Sequence, residues 1–222
     1  MIYELQAKYY WVGLTNDVNA FIDKCEHCAT MKIRTGIPKP PTKPITADRI
    51  LERIQIDFTS FEYADPDTGD RHVLTIIDCF SKFAWAKSFP TQEVEPIARY
   101  MFELFLNEVQ YPEILQSDNG KSFLAKIMKD LLGLFKTKQK NSRPRHPKTN
   151  GQIERFNGTF KRKLREHIKK VPKAPWAHLV PIVVAEYNNT YHSTIGRKPV
   201  EIFRPYNGNG DTGGIESVLI LN

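Results

Sequence analysis

Apolar positions along this chain recur with two different periods, and the alternation between them outlines a fold. Val94, Ile97, Ala98, Met101, Phe102, Phe105 and Val109 follow the three-and-four spacing of an amphipathic helix, with Thr91 placed as its cap. The same period returns from about Gly151 to Lys170, where Ile153, Phe156, Phe160, Leu164 and Ile168 form one stripe. Strand patterns lie between. Residues 52–61 (ERIQIDFTSF) alternate as a half-buried strand does, 72–81 (HVLTIIDCFS) read as a more buried strand, and 82–89 (KFAWAKSF) as its hairpin partner. The cluster ADPDTGD at 64–70 is a turn. A short strand over 112–120 ends in a polar turn, a helix over 121–135 stops near Gly133, and 135–142 form a short strand or extended segment. Residues 144–152 (PRHPKTNGQ) are a loop, and further helices are expected over 175–192 and 199–204 before the glycine-rich 207–214. Three to five strands interleaved with helices predict an α/β fold with a mixed sheet. The leading antiparallel strands, and the lack of G-x-G-x-x-G, argue against a dinucleotide-binding fold.

The first 35 residues stand apart. Val18, Phe21 and Ile22 suit a short helix over Asp17–Cys25, which runs directly into CEHC. Four prolines in IPKPPTKPIT (37–46) predict an extended linker and a boundary near residue 47. The expected organisation is an appendage at 1–36, a linker at 37–46, a main domain at 47–206 and a tail at 207–222.

Composition narrows the class. With 41% apolar and 26% charged residues the chain suits a globular protein with a core, which excludes disorder and collagen-like structure. No run approaches the ~18 apolar residues of a membrane span, so no membrane partner is expected. The opening MIYELQAKYYW lacks the features of a secretory signal. Three cysteines cannot build a disulfide framework and suit a reducing compartment, and Cys79 is expected to be a small core residue.

The net charge of +7 is unevenly placed: from Lys121 to Lys173 there are 17 Lys and Arg against three acids, Asp130, Glu154 and Glu166. Like charges at this density repel unless something neutralises them, which points to a nucleic-acid partner.

Three acids occupy positions that packing does not explain. Asp57 lies inside the first strand, Asp118 leaves the strand ILQS at the end where such sheets present their sites, and Glu154 stands on the first turn of the long helix. At about 100° per residue, Gly158, Lys161 and Arg165 fall within roughly 40° of Glu154, so the acid heads a polar, basic ridge opposite the apolar stripe. Carboxylates brought together repel, and hard divalent ions with oxygen ligands remove that repulsion. Two such ions ~3.5–4 Å apart can activate a nucleophile and stabilise the leaving oxygen of a phosphodiester.

In these residues the chain resembles the retroviral and retrotransposon integrase catalytic core, most closely integrases of the Ty3/gypsy type and cellular genes derived from them. Asp118 and Glu154 have 35 residues between them, as in that family's D,D-35-E signature, and 60 separate Asp57 from Asp118. IQIDFTSF, SDNGKSF and RPRHPKTNGQIERFNGTFKRKL match the surroundings of the three acids, and YYW at 9–11, CEHC at 25–28 and residues 187–203 match flanking elements. The resemblance implies an RNase H-like fold with a five-stranded mixed sheet flanked by helices, behind a short helical N-terminal appendage. It implies a transferase and endonuclease that processes the 3′ ends of element DNA and joins them to target DNA. Asp57, Asp118 and Glu154 would be catalytic and would hold two Mg²⁺ or Mn²⁺ ions. Asn119, His146, Lys148, Asn150, Gln152, Lys161 and Arg165 would contact DNA. A homodimer or higher multimer is implied, and a nuclear site of action, otherwise cytoplasmic, follows from the DNA substrate.

Two departures go with the resemblance. The family's N-terminal domain is a His-His-Cys-Cys zinc bundle; Cys25 and Cys28 have the C-x₂-C spacing, but residues 1–24 contain no histidine and His27 lies between the cysteines. Two thiolates do not close a tetrahedral site, so residues 1–36 are expected to be a remnant in which zinc is not bound within a single chain. Nothing beyond residue 206 would build the family's C-terminal barrel. These departures leave a second reading, a domesticated, catalytically inactive descendant that binds nucleic acid or protein.

Overall fold

Strands β1 (Arg53–Ser60), β2 (His72–Asp78), β3 (Ala84–Phe89), β4 (Ile114–Ser117) and β5 (Lys138–Asn141) form one sheet in the order β3-β2-β1-β4-β5 in the computed structural model. The structure describes residues 2–25, 46–107, 111–118, 120–141, 150–171 and 174–204. β1, β2 and β3 pair antiparallel, joined by the loop 61–71 and the turn 79–83, whereas β1, β4 and β5 are parallel and need crossovers. This is the five-stranded mixed sheet, flanked by helices, of an RNase H-like fold.

The period-two pleat sorts the strand residues between two cores. Ile54 and Ile56 of β1, Leu74 and Ile76 of β2 and Leu115 of β4 pack with α3 (Val94–Asn107), α4 (Lys121–Leu124) and α5 (Lys126–Leu134). Val73 and Ile77 of β2 and Ala84 of β3 pack on the other face with α6 (Gly151–Lys170) and α7 (Trp176–Asn188). α8 (Pro199–Phe203) places Phe203 against Phe83, ring centroids 4.6 Å apart. The stripe of α6 is as its spacing predicts: Ile153, Phe156, Phe160 and Leu164 are at most 1% exposed. Each such side chain stabilises by ~1.5–3 kcal/mol, which fixes the rotation of α6 and hence the direction of its polar face.

Three boundaries differ from the pattern. α3 begins at Val94 rather than Thr91, and Thr91 Oγ1 accepts only a long 3.4 Å bond from Glu93 N. The helix over 121–135 is divided: Ala125 is extended (φ −64°, ψ 152°), so α4 and α5 are separate. α7 ends at Asn188, whose side chain pairs with both backbone groups of Ala84 at 2.9 Å.

Residues Met1–Thr42 form a separate compact unit from Lys43–Asn222. Within it, α1 (Ile2–Gln6) and α2 (Leu14–Lys24) bury Leu14 and Val18. Gly13, at φ 89°, supplies the left-handed turn ahead of α2, and Trp11 Nε1 donates to Asp17 Oδ2 at 2.7 Å. Phe21 departs from its expected stripe and is 67% exposed. Residues 37–45 of the linker, Cys28, Val109 and the glycine-rich tail lie outside the described residues. Among the described residues no helix is long and apolar enough to cross a membrane.

Candidate active site

Pleat parity places Asp57 on the α6 face of β1, together with Gln55, while Ile54 and Ile56 face the opposite core. Its carboxylate is held at both oxygens: Phe58 N donates to Oδ1 at 2.8 Å and Asn157 Nδ2 to Oδ2 at 2.9 Å. Thr75 lies directly across in β2 and donates its hydroxyl to Asn157 Oδ1 at 2.7 Å. Burial raises the pKa of Asp57, the Phe58 hydrogen bond opposes this, and the charges of Asp118 and Glu154 raise it further; Asn157 lowers it. Asp118 and Glu154 therefore both stand within electrostatic reach of Asp57.

Asp118 gets there through strand pairing. Gln55 and Gln116 are partners in the parallel β1–β4 ladder, and Asp57 and Asp118 each stand two residues further on. Asp118 is exposed, and its Oδ1 accepts from Gly120 N at 2.9 Å. A Cβ on Gly120 would lie 2.9 Å from that same oxygen and 3.3 Å from the Phe123 ring, so a larger residue there would displace the Asp118 carboxylate. Glu154 projects from the first turn of α6, exposed and without a hydrogen bond among the described residues.

The start of α6 is tied to the sheet by three side chains that the sequence pattern did not single out. Gln55 Oε1 accepts from Ile153 N at 3.0 Å, satisfying a helix N-terminal donor. Gln116 Nε2 donates to Asn150 Oδ1 at 3.0 Å, and Arg53 holds the other end of that amide at 3.0 Å. Lys82, in the β2–β3 turn, donates to Gln152 Oε1 at 2.7 Å. Asn157 was also missed. Its signal was available, since it lies three residues after Glu154 on the same helix. The partnership of Gln55 was legible only as its parity with Asp57.

The sequence-derived candidates thus have different fates. Asp118 and Glu154 both act on the charge of Asp57; Asn150 and Gln152 are engaged with Gln116 and Lys82; half-buried Lys161 and exposed Arg165 follow along α6. Asn119, His146 and Lys148 lie outside the described residues. Three carboxylates, one of them raised in pKa by burial and further by the charges of the other two, are a donor set that suits hard divalent cations. Yet among the described residues no group of three or more His, Cys, Asp or Glu side chains is drawn closely enough to hold a metal ion. The expectation of a built two-ion Mg²⁺ or Mn²⁺ site is corrected to that extent: the acids share a field without sharing a ligation point.

Residues 47–147 and 136–199 each match an "Integrase core domain" family profile, and residues 1–34 match "Integrase zinc binding domain". The Pro-Pol polyprotein of simian foamy virus type 3 (strain LK3) is 28% identical over 188 residues, 85% of this chain and 16% of that protein. The Transposon Tf2-3 polyprotein of Schizosaccharomyces pombe (strain 972 / ATCC 24843) is 28% identical over 205 residues, 90% of this chain and 15% of that protein. The chain thus spans about a sixth of the length of these curated relatives. Among solved structures, the simian T-cell lymphotropic virus intasome in complex with PP2A regulatory subunit B56 gamma aligns with TM-score 0.67 and 16% identity, over 87% of this chain and 68% of that one. The HTLV-2 integrase catalytic core domain in complex with magnesium (trimeric form) aligns with TM-score 0.58 and 16% identity, over 73% of this chain and 100% of that one. At such identities the likeness is one of fold.

The match over residues 1–34 overturns the expectation that zinc has no place within the chain. That expectation rested on the lack of histidine in residues 1–24. The C-x₂-C pair of Cys25 and Cys28 is one half of a zinc ligand set, and the family match covers both thiols. Cys25 ends the α2 segment, and Cys28 lies outside the described residues.

Proposed function

Because the chain belongs to the integrase catalytic-core family, of the retroviral and retrotransposon type related to Ty3/gypsy-like elements, we propose that it carries the phosphodiester chemistry of DNA integration: 3′-end processing and strand transfer. The observation that carries this reading is the β1–β4 ladder, which sets Asp57 and Asp118 level two residues beyond the paired Gln55 and Gln116, with Glu154 on the first turn of the helix whose Asn157 bonds to Asp57. A purely structural descendant has no chemical need of all three acids.

Asp57, Asp118 and Glu154 would hold two divalent cations, which when bound neutralise charge at the scissile phosphate and activate the attacking oxygen. The chain's own residues prepare this arrangement. Phe58 N and Asn157 orient the two oxygens of Asp57, and Gly120 N orients Asp118. Gln55, Gln116 and Lys82 hold the helix turn from which Glu154 projects. Lys161 and Arg165 continue the basic ridge along which a DNA backbone would lie. Water would be the nucleophile in processing and a DNA 3′-hydroxyl in joining. DNA ends, target DNA and a second copy of the chain are the proposed partners, and the nucleus the proposed place of action.

A nicking or disintegration assay on branched DNA, in Mg²⁺ or Mn²⁺, tests the reading, with Asp118→Asn as control. Cleavage by the intact chain that the control lacks supports it. Equal activity in the two sinks it, and favours the second reading, a catalytically inactive nucleic-acid-binding or protein-interaction module, for which the unconverged carboxylates speak.

A further inference from the structure

Beside the carboxylates, three basic side chains from three different elements lie within charge–charge range of one another near the start of α6. Lys82 sits in the β2–β3 turn at φ 63°, and its Nζ bonds to Gln152 Oε1 and the Cys79 carbonyl. Arg155 stands three residues after Gln152, on the same flank of the helix. His192 follows α7. Its ring meets Tyr187 edge-on at 6.5 Å between centroids, and Tyr187 packs on Phe156, the neighbour of Arg155, at 4.7 Å. Asn188 ties this end of α7 to Ala84, two residues after Lys82, so the path of contacts closes on itself.

Among the described residues no carboxylate forms an ion pair with the group. Asp78 lies behind Lys82 and is occupied by Leu51 N and by both donors of Ser81. Among the described residues no ion pair reaches Lys82, Arg155 or His192; Arg155 is exposed without a hydrogen bond, and His192 Nδ1 is buried without one. Burial lowers the pKa of Lys82, and Arg155 lowers it further against the charges of Cys79 and Asp78; burial, then Lys82 and Arg155, lower that of His192. The guanidinium offers a fork of donors, the ammonium a point charge and the imidazole a ring nitrogen, which together suit a tetrahedral oxyanion.

We propose that Lys82, Arg155 and His192 form a subsite for one backbone phosphate of a nucleic-acid strand. It rests on, and deepens, the reading of the chain as a nucleic-acid-processing core. Arg155 is about 100° around the helix from Glu154, so the subsite lies off the Lys161–Arg165 ridge. A strand seated on both passes the carboxylates, with contacts on two helix flanks.

The test uses the full 222-residue chain in metal-free buffer, with two readouts. In the first, fluorescence anisotropy follows binding to a labelled DNA duplex across a salt series. Arg155→Gln is expected to shallow the slope of log affinity against log salt by about 0.9, one phosphate contact, while Arg99→Gln, remote from the cluster, leaves it unchanged. In the second, NMR follows the His192 ring, assigned with His192→Gln, during titration with inorganic phosphate and with the duplex. Movement with both, and its loss in Lys82→Met, is the expected result. A ring that answers neither, or a slope intact in Arg155→Gln, overturns the subsite. A ring that answers phosphate but not the duplex assigns a free-anion site and overturns the strand assignment. If the ring and slope behave as expected but the chain does not cleave DNA, the subsite stands and the catalytic reading falls. Normal cleavage with an unchanged slope gives the reverse.

Discussion

Asn157 donates through Nδ2 to Asp57 Oδ2 at 2.9 Å while its Oδ1 accepts the Thr75 hydroxyl at 2.7 Å. The Thr75 contact fixes which way the amide points, and thereby fixes the orientation of the Asp57 carboxylate. One buried side chain on α6 thus couples the helix of Glu154 to the two central strands.

Asn157→Ala removes a donor from Asp57 and an acceptor from Thr75. The expected cost is about 1–3 kcal/mol of stability by denaturant unfolding. Metal-dependent cleavage should fall at least tenfold, roughly 1.4 kcal/mol in the barrier, because Asp57 loses its orientation. Asn157→Asp should be worse at neutral pH, since it places a second carboxylate against the first. Wild-type cleavage by either variant would remove Asn157 from this role.

Gln55→Leu keeps the shape of the side chain but leaves the Ile153 amide without its acceptor. The expected signature is local: faster amide hydrogen exchange at Ile153 and Glu154, with β2 and β3 unchanged. Cleavage should decline along with it. If exchange at the first turn of α6 is unaltered, the sheet does not hold that turn through Gln55.

Asp78 is fully buried and accepts three hydrogen bonds, from Leu51 N at 3.0 Å, Ser81 N at 2.7 Å and Ser81 Oγ at 2.6 Å. Leu51 sits at φ 58°, a strained conformation for a branched residue, and its amide is secured only by this carboxylate among the described contacts. Asp78→Ala should cost about 3 kcal/mol, and Asp78→Asn less, since the amide retains one acceptor. Thermal and denaturant unfolding measure both.

Glu186 provides a pH test. Burial pushes its carboxyl up, but the His167 hydrogen bond at 2.9 Å and the charges of Lys163 and His167 outweigh it and hold the group below the usual glutamate range. A folded-state pKa that is depressed contributes stability above the unfolded-state pKa, and that stability is lost as pH falls through the folded value. The Tm advantage of wild type over Glu186→Gln should be present at neutral pH and vanish in acid. Solvent screening keeps it under about 1 kcal/mol. An advantage that grows in acid would reverse the assignment.

The phase of α6 was legible because it rests on a local period: the stripe from Ile153 to Leu164 is buried and directs Glu154 to the opposite face, as the parity of β1 directs Asp57 away from Ile54 and Ile56. Lys82 was not legible, because its partner Gln152 is 70 residues away and the contact depends on the path of a turn. The break at Ala125 was hidden inside FLAKIM, where apolar residues continue on both sides and nothing in composition marks an extended residue. Zinc was misjudged because a count of ligands within one stretch of sequence was set against a family match that spans the whole of it.

Parallel pairing of β1 with β4 also determines which length changes the chain can absorb. Asp57 and Asp118 are aligned by neighbouring strands, so the distance between them along the chain is not itself a constraint. Insertions at the 64–70 turn would leave both acids level. One residue added within Ile114–Ser117 would turn Gln116 away from Asn150 and carry Asp118 out of step, because a shift of one reverses every side chain on a strand. Related chains should therefore vary in the spacing of their first two acids while keeping the strand before the second at fixed length.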